Sequence, residues 1–553
     1  MNPVSRVVAL AADLAFGLPA AAEPYDLRPD VQVPMPDGVV LLGDHYRPSR
    51  ADGPLPVVLI RSPYGRAGVT GFVFAAPLAR RGFQVFVQST RGTFGSGGQF
   101  RPFLPEREDG LATVAWLRDQ PWCDGRVSMV GASYLGHAQW AVAPYVDPPL
   151  TSVSLNITSA NFSSMFYAHG APSLANTLNW TALIGKQERG LRASIPRPGQ
   201  QDRMKRAALR VPLQAADLGV AGAPVAFWRD FVQHDSPDDH FWAAIDHDGG
   251  DLTRLPPVSM VTGWWDLFLP GQIRDFMAIR AAGVPARITI GPWMHGEPAE
   301  LKETTQQDIA WLDHHLRGGP APAGAPVRAF LQGPGTWLEF PQWPPPAAVS
   351  TPFYLRAGGG LSRAPEPGDA MPGTFVYDPR DPTPSVGGPL LQPPGKQVDN
   401  APVEARPDVL TFTSEPLPAD LDLVGQASAR IFVKAGRQYA DVFVRVCDVD
   451  GLGVSRNVVD GIRRLSPLTV PADDVQVGDD GTLAVEVELF PTAYRVPAGH
   501  RIRVQVSGGA FPRFARNLGT AEPLASATKG LLCRFDIHHD ARHPACVMLP
   551  VLG

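Results

Sequence analysis

The stretch Val127-Ser-Met-Val-Gly-Ala-Ser-Tyr-Leu-Gly136 contains the most informative pattern in the chain. Apolar residues typical of a buried strand lead into Ser133, which follows two small residues and precedes a segment that can form a helix. A serine nucleophile needs such a tight, strained strand-to-helix turn, because the turn projects its hydroxyl from the sheet and only small neighbours tolerate the crowding. The usual G-x-S-x-G pattern has glycine at the position of Leu135, whereas here glycine follows at Gly136. We predict a nucleophile elbow, with an ordinary strand-turn-helix as the alternative.

Two later segments supply residues that can activate this serine. A serine nucleophile needs a base to take its proton, and the base needs a carboxylate to orient it. The segment 257–266 has the composition of a buried strand that ends just before Asp266, and 286–296 repeats the arrangement with His295. Both side chains are expected at the carboxyl edge of one sheet, where open α/β sheets bind ligands. The order serine, acid, histidine is that of α/β-hydrolases, so we predict a catalytic triad of Ser133, Asp266 and His295.

These motifs are similar to those of a known family. Ser133 in Gly-Ala-Ser-Tyr-Leu-Gly, Asp266 in Gly-Trp-Trp-Asp and His295 in Gly-Pro-Trp-Met-His resemble blocks of the cocaine-esterase-like hydrolases, relatives of the X-Pro dipeptidyl-peptidases and α-amino-acid ester hydrolases. The resemblance covers nearly the whole chain from about Val31. Further similar blocks are 61–65, 91–98, 106–110, 116–117, 120–127, 238–242 and 311–314.

The chain divides into regions of different composition. Its 553 residues exceed what one hydrophobic core usually serves. Strand-helix alternation over 25–160 and 247–320 predicts an α/β-hydrolase catalytic domain, a mainly parallel sheet covered by helices. The aromatic-rich, helix-compatible segment 161–246 predicts a helical cap, the place that the resemblance also implies for it. Short alternating runs separated by Gly, Pro and Asp turns over 321–553 predict an all-β jelly-roll sandwich.

Residues 1–24 are predicted to form an N-terminal extension. Arg6 precedes the apolar run Val7–Ala22, and Asp13 interrupts that run. A charge in the middle of a segment is costly to insert into a bilayer, and no other stretch reaches the roughly 18 apolar residues that a span requires. We therefore expect a cytoplasmic protein with no membrane partner, with a cleaved secretion signal as the alternative.

Charge and metal-ligand patterns argue against several other classes of protein. The 49 basic and 54 acidic residues give a net charge of −5 without a basic stripe, which argues against a nucleic-acid partner. Four widely spaced cysteines lack a C-x-x-C pattern and indicate neither a zinc site nor a disulfide framework. His314-His315, and His538-His539 with Asp540 and His543, are possible metal ligands, but surface histidines are the favoured interpretation. We expect no metal and no cofactor.

The predicted triad implies a specific chemistry. Ser133 attacks an acyl carbonyl, His295 accepts its proton and returns it to the leaving group, and Asp266 orients His295. The backbone N–H of Tyr134, directly after the nucleophile, is expected to stabilise the oxyanion. The resemblance implies that the hydroxyl of Tyr64 is the second donor.

Two other side chains have competing interpretations. His137 follows Ser133 by four residues, but on the helix after the elbow its ring is expected to point away from the serine, which disfavours it as the base. Asp275 follows Asp266 on a helix-like run and is expected on a solvated face.

The nature of the acyl group is the main open question at this stage. A peptidase or amino-acid ester hydrolase must hold a substrate ammonium, which requires desolvated carboxylates. An esterase for neutral esters needs only an apolar, aromatic-lined cleft, which the cap supplies more readily. The residues expected in the pocket are Phe166, Trp180, Trp265 and Phe268. The acidic residues available in the cap are Asp230, Asp235, Asp238 and Asp239.

We therefore predict a serine hydrolase that cleaves carboxylic esters through an acyl-enzyme, with a small-molecule ester or a short peptide-like compound as substrate. An X-Pro dipeptidyl-peptidase or an α-amino-acid ester hydrolase is the first alternative. A non-catalytic ligand-binding protein is a remote one. A homo-oligomeric assembly is left open.

Overall fold

Two large β-sheets organise the chain. The computed structural model describes residues 13, 16–18, 21, 23–188, 199–236, 239–392 and 395–553, so most of the predicted N-terminal extension lies outside the described residues. The first sheet contains the strands β1 (Tyr25–Pro34), β2 (Val40–Pro48), β3 (Leu55–Ser62), β4 (Gln84–Ser89), β5 (Cys123–Ala132), β6 (Val153–Asn156), β9 (Val258–Trp265), β10 (Ala286–Met294), β11 (Val327–Leu331) and β12 (Thr336–Phe340).

The first sheet is parallel at its centre and antiparallel at its edges. Its order is β1-β2-β4-β3-β5-β6-β9-β10-β11-β12, and the neighbours from β4 to β11 run parallel. Every residue of β9 is buried, as is β5 from Val127 onward, because helices cover both faces of a parallel sheet. The carboxyl ends of β5, β9 and β10 consequently lie on one edge of the sheet.

Helices cover the first sheet, and a helical insertion lies between β6 and β9. A π-helical segment, Thr70–Ala75, precedes α1. The described part of the insertion holds α4 to α9 and a short hairpin of β7 (Tyr167–Ala168) and β8 (Ala171–Pro172), as expected for a cap. The α-helices of the described chain are α1 (Ala76–Ala79), α2 (Glu106–Arg118), α3 (Tyr134–Trp140), α4 (Ser163–Phe166), α5 (Leu174–Ile184), α6 (Gln200–Ala208), α7 (Ala216–Val220), α8 (Ala226–Gln233), α9 (His240–Ala243), α10 (Leu269–Ala281), α11 (Pro298–Arg317) and α12 (Ala401–Glu404).

The C-terminal region is an all-β domain with its own apolar core. Strands such as β18 and β25 alternate buried and more exposed residues, whereas β19 is buried throughout, and the core includes Ile431, Val444, Val504 and Phe535. The strands are β13 (Ala348–Arg356), β14 (Gly360–Ser362), β15 (Gly373–Tyr377), β16 (Val409–Ser414), β17 (Leu421–Gly425), β18 (Ser428–Ala435), β19 (Ala440–Val449), β20 (Ser455–Leu465), β21 (Val475–Val477), β22 (Leu483–Glu488), β23 (Thr492–Val496), β24 (Arg501–Ser507), β25 (Cys533–His538) and β26 (Cys546–Leu552).

This architecture confirms the predicted fold class, an α/β-hydrolase sheet followed by an all-β domain. The strands β11 and β12 pair with the first sheet, so that sheet extends to Phe340, beyond the division expected at residue 320. The domain bounds themselves stay a prediction. Within the described ranges, no helix is both long and apolar enough to cross a membrane. All four cysteines are buried free thiols.

Candidate active site

Ser133 lies in a strained turn between β5 and α3. Its backbone has φ 61° and ψ −121°, a conformation that is costly for a residue with a side chain. Gly131 is required because a Cβ there would lie 2.5 Å from Cβ of Leu135, and Gly136 because a Cβ would lie 2.5 Å from Cγ2 of Thr158. These contacts explain why glycine occurs at position 136 and not at the usual position, which Leu135 occupies. Leu135 packs in the space beside Gly131, and Gly136 lets α3 approach the segment after β6.

Hydrogen bonds to neighbouring elements hold this turn in place. The N–H of Ser133 donates to the carbonyl of Asn156 at 2.9 Å. The side chain of Asn156 accepts from the N–H of Val261 at 3.0 Å and donates to Asp308 at 3.1 Å. Burial raises the pKa of Asp308 to about 7. The elbow is thereby fixed to β6, β9 and α11.

The structure brings Ser133, His295 and Asp266 together at the carboxyl edge of the sheet. Asp266 directly follows β9 and His295 directly follows the parallel neighbour β10. Nε2 of His295 lies 3.0 Å from Oγ of Ser133, and its Nδ1 lies 2.7 Å from Oδ2 of Asp266. The N–H of Phe268 donates to Oδ1 of Asp266 at 2.7 Å, so both oxygens of this fully buried carboxylate have partners. This arrangement can move a proton from the serine hydroxyl to an imidazole oriented by a carboxylate.

Tyr64 and Tyr134 line the same pocket as Ser133. Tyr134 is the first residue of α3, so its N–H is one of the N-terminal donors that a helix leaves without intrahelical partners. The hydroxyl of Tyr64 accepts a hydrogen bond from Nε1 of Trp180 at 2.9 Å. Burial raises the pKa of Tyr64 to about 12, so its proton is retained near neutral pH and is available for donation.

A buried polar network fixes the side chain of Tyr134. Its hydroxyl donates to Oε1 of Glu106 at 2.9 Å and accepts from the N–H of Phe103 at 2.8 Å. Glu106 in turn forms a buried ion pair with Arg61 at 2.7 Å, and Arg61 also donates to Gln88 at 2.9 Å. Arg61 and Glu106 lie in blocks that carry the family resemblance, but nothing in the sequence pairs them with Tyr134. The network holds the start of α3 against the elements that surround it.

A small cavity of about 30 Å³ opens on Ser133. Phe166, Trp180 and Phe268 of the predicted pocket lie on its wall, together with Tyr64 and Tyr134. The complete lining consists of Tyr64, Phe103, Ser133, Tyr134, Phe162, Met165, Phe166, Asn176, Trp180, Leu267, Phe268, His295 and Leu391. The cavity is narrow, so the fit of an acyl group at Ser133 depends on the side chains of its wall.

The lining differs from the sequence prediction in two respects. Trp265 is not among the lining residues, because it is the last residue of β9 and packs in the core of the first sheet with Met260 and Trp264. Leu391 reaches the cavity from the C-terminal domain, and its N–H donates to Oδ1 of Asn176 in the cap at 2.9 Å. A loop contact of this kind has no signature in local sequence.

A larger cavity of about 570 Å³ adjoins the first one. The two share Met165, Asn176, Leu267 and Phe268 on their walls. The larger cavity has both polar and apolar walls, and its charged residues include an ion pair between Arg274 and Glu488 at 3.1 Å. The helix α10 of the catalytic domain, the cap and the C-terminal domain all contribute to its lining.

His137 and Asp275 are both buried. The Nε2 of His137 lies 3.5 Å from the carbonyl of Phe103, and burial lowers its pKa to about 3, which is consistent with its rejection as the base. Asp275 was expected on a solvated face, but this was wrong. Its carboxylate accepts the N–H of Ala160 at 2.8 Å, and burial raises its pKa to about 7.

Comparisons with known proteins identify the family of this chain. The profile of the X-Pro dipeptidyl-peptidase (S15 family) matches residues 37–297, and that of the X-Pro dipeptidyl-peptidase C-terminal non-catalytic domain matches residues 323–547. The chain is 34% identical to cocaine esterase of Rhodococcus sp. (strain MB1 Bresler), over 96% of this chain and 99% of that protein.

Two solved structures share the fold over nearly the whole chain. An α-amino acid ester hydrolase superposes with a TM-score of 0.78 at 24% identity, covering 97% of this chain and 98% of the other. An aminopeptidase from a marine sediment archaeon, Thaumarchaeota archaeon, superposes with a TM-score of 0.79 at 22% identity, covering 97% and 99%. The chain therefore belongs to the family of serine hydrolases that includes cocaine esterase and the S15 X-Pro dipeptidyl-peptidases.

Proposed function

We propose that this protein is a serine esterase that hydrolyses carboxylic esters with a neutral, apolar acyl group. The observation that carries the proposal is the pocket itself. In it, the hydroxyl of Ser133, hydrogen-bonded to His295, faces a wall of aromatic and aliphatic side chains, and no lining residue besides His295 carries an ionisable group other than a tyrosine hydroxyl.

The first half of the reaction forms an acyl-enzyme. Oγ of Ser133 attacks the ester carbonyl carbon while Nε2 of His295 takes its proton. The charged imidazolium is stabilised by the carboxylate of Asp266, whose remaining oxygen is held by a backbone N–H. Collapse of the tetrahedral intermediate breaks the bond to the alcohol oxygen, and His295 returns the proton to that oxygen.

The second half consumes a water molecule. His295 accepts a proton from water, whose oxygen attacks the acyl carbon, and then returns the proton to Oγ of Ser133 as the carboxylic acid leaves. In both halves the carbonyl oxygen becomes negative. We assign its stabilisation to the N–H of Tyr134 and the hydroxyl of Tyr64, since donors aimed at the developing charge contribute most when they are already in place.

The apolar wall supports a neutral acyl group over one with an α-ammonium. An ammonium taken from water into this pocket would lack the carboxylate partner that offsets its desolvation. The cap acids that were available have other contacts: Asp235 accepts the N–H of Leu524 at 2.8 Å, and Asp239 pairs with His234 at 2.9 Å. Asp230 does not line the cavity, and Asp238 lies outside the described residues.

We further propose that the acyl group occupies the small cavity and the leaving alcohol the larger one. The small cavity holds the aromatic wall and the serine, whereas the larger cavity offers polar and charged side chains and more room. An alcohol with polar substituents matches that second environment.

A matched pair of substrates tests the proposal. The 4-nitrophenyl esters of phenylacetic acid and of phenylglycine differ by one α-ammonium group, so their kcat/KM values, each divided by the rate of hydroxide hydrolysis, report the tolerance for that charge. We expect a higher corrected value for phenylacetate, and loss of both activities in Ser133→Ala. A higher value for phenylglycinate, or faster release from a Gly-Pro 4-nitroanilide, would instead assign an aminoacyl substrate.

A fluorophosphonate probe addresses the non-catalytic alternative. Such probes react with activated serines, so labelling of the wild type that disappears in Ser133→Ala is expected of the enzyme. Absence of labelling in the wild type, with no turnover of either ester, would favour a ligand-binding protein.

A further inference from the structure

A cluster of metal-ligating side chains lies in the C-terminal domain, apart from the residues that line either cavity. Ligand atoms of His538, Asp540 and His543 lie within 4.8 Å of one another. His538 is the last residue of β25, and the other two belong to the turn that leads to β26. The sequence favoured surface histidines here, because it does not show that these three side chains converge.

The turn is built so that its side chains face a common point. Oδ1 of Asp540 accepts the backbone N–H groups of Arg542 and His543 at 2.8 and 3.0 Å, which closes the chain back toward the strand end. The same carboxylate lies 3.0 Å from Nδ1 of His543 and 4.0 Å from Nδ1 of His538. The imidazole rings of the two histidines are 5.1 Å apart, centre to centre.

Hydrogen bonds do not explain the position of the His538 side chain. Its Nε2 is buried and has no hydrogen-bond partner among the described residues, and the 4.0 Å from its Nδ1 to Asp540 is too long for a hydrogen bond. A buried ring nitrogen without a partner is unusual in a folded protein. Binding of a cation by this ring would give the side chain a role.

A second carboxylate lies near the ring of His543. A histidine that binds a metal through one ring nitrogen usually presents the other to a carboxylate, which orients the ring and raises its basicity. Nδ1 of His543 faces Asp540, and its Nε2 lies 3.6 Å from Oδ2 of Asp480. Asp480 is itself held by Lys434 at 3.1 Å and by the hydroxyl of Thr482 at 2.7 Å.

We propose that His538, Asp540 and His543 bind one zinc ion or a similar transition-metal ion, with water completing the coordination. Two imidazoles and one carboxylate are ligands that Zn²⁺ accepts and that Ca²⁺ and Mg²⁺ do not favour. Ligand atoms of a tetrahedral zinc ion are about 3.4 Å apart, so the widest separation must shorten by about 1.4 Å. Rotation of these partly exposed side chains supplies that change.

The consequence of binding is structural. The site joins the turn after β25 to the turn that precedes β22, because Asp480 of that second turn supports His543. A ligand that binds the folded state alone stabilises it in proportion to the logarithm of its free concentration. Zinc is therefore expected to raise the Tm of the protein without taking part in ester hydrolysis.

Zinc content after dialysis of the full-length protein tests this assignment. The protein is stripped with a chelator, equilibrated with a small excess of zinc sulfate, dialysed against metal-free buffer and analysed by mass spectrometry. We expect about one zinc per chain in the wild type, and loss of that zinc in His538→Ala and in His543→Ala. His500→Ala is the matched control, because His500 pairs with Asp448 at 2.8 Å in the same domain but is not part of the cluster. This variant should keep its zinc.

Two further measurements distinguish loss of the metal ligands from misfolding. Asp540→Asn keeps the size of the side chain and can still accept the turn hydrogen bonds, and it is expected to weaken zinc binding at least tenfold. Turnover of 4-nitrophenyl acetate by each variant reports whether the fold is retained. A wild type that retains no zinc, or a folded His543→Ala that retains as much as the wild type, overturns the proposal.

Discussion

The indole N–H of Trp180 donates a hydrogen bond to the hydroxyl oxygen of Tyr64 at 2.9 Å, inside the pocket that contains Ser133. This bond occupies a lone pair of the tyrosine oxygen with a donor. The hydroxyl hydrogen of Tyr64 is not used in this bond, which leaves it available to the oxyanion that we propose it stabilises.

Tyr64→Phe is expected to lower kcat by roughly a hundred- to a thousandfold, the usual loss for one oxyanion donor. The ring stays in place, so KM for a 4-nitrophenyl ester should change little. Steady-state kinetics on the variant checks this. Turnover within a few-fold of the wild type would remove Tyr64 from the reaction.

Trp180→Phe removes the hydrogen bond to Tyr64 but keeps an aromatic ring in the pocket wall. The substitution keeps an aromatic ring but leaves the hydroxyl of Tyr64 free to rotate, so we expect kcat to fall by up to about tenfold, the worth of one hydrogen bond. In a Tyr64→Phe background the same change should have a smaller effect on kcat, because the two residues act through one hydroxyl. Additive losses in the double variant would contradict this coupling.

The network behind Tyr134 is expected to stabilise the fold strongly. Tyr134→Phe leaves Glu106 and the N–H of Phe103 without their partner, which should reduce the free energy of unfolding by about 1–3 kcal/mol. Glu106→Gln leaves the buried guanidinium of Arg61 without its counter-charge, at a cost of about 3–5 kcal/mol. Urea unfolding measures both. Tyr439→Phe, in a partly exposed loop, is the control and should change stability by less than about 0.5 kcal/mol.

Asp308 should make the protein less stable as the pH rises. Its pKa is about 7 in the folded state and near 4 in the unfolded chain, so between these values the folded state binds more protons than the unfolded state. The free energy of unfolding then falls with pH, by at most about 1.4 kcal/mol per unit from this group, in the window from about pH 4 to 7.

Asp308→Asn removes that titration and keeps an oxygen that can accept from Asn156. Urea unfolding between pH 5 and 8 should show a shallower decline for the variant than for the wild type. Parallel curves would mean that Asp308 is ionised throughout. Asp275, whose pKa burial raises to about 7, remains in both proteins and cancels in the comparison.

Gly136→Ala tests the packing that explains the departure from the usual motif. Alanine favours a helix over glycine by about 1 kcal/mol, so propensity alone predicts stabilisation. The Cβ would meet Thr158 at 2.5 Å, however, and overpacking of this kind costs about 1–3 kcal/mol. Thermal unfolding should show a lower Tm, whereas Gly249→Ala, where a Cβ meets nothing within 4 Å, should be nearly neutral. A higher Tm for Gly136→Ala would contradict the crowding.

Much of the fold and the order of the candidate triad followed from local sequence. Buried strands of the sheet are continuous apolar runs that end in functional residues, and such runs can be recognised one at a time. The positions of Ser133, Asp266 and His295 after such runs predict that the three lie on one edge of the sheet. Resemblance to a family supplied Tyr64, which no spacing argument would have selected.

The rest depended on contacts between distant residues. Glu106 and Tyr134 meet only because α2 packs beside the elbow, and the sequence carries no pairing signal for them. Trp265 adjoins Asp266 in the sequence, but its side chain packs in the core of the first sheet with Met260 and Trp264, which local sequence does not show. Asp275 looked like one charge on a helix surface, but its carboxylate satisfies a backbone N–H beyond the end of β6.

Leu391 has a consequence for how such enzymes diversify. Leu391, which lines the cavity at Ser133, is encoded about 260 codons downstream of the nucleophile, on a domain that supplies none of the three side chains of the candidate triad. A change at that end of the gene can therefore alter the wall of the cavity while Ser133, Asp266 and His295 keep their places.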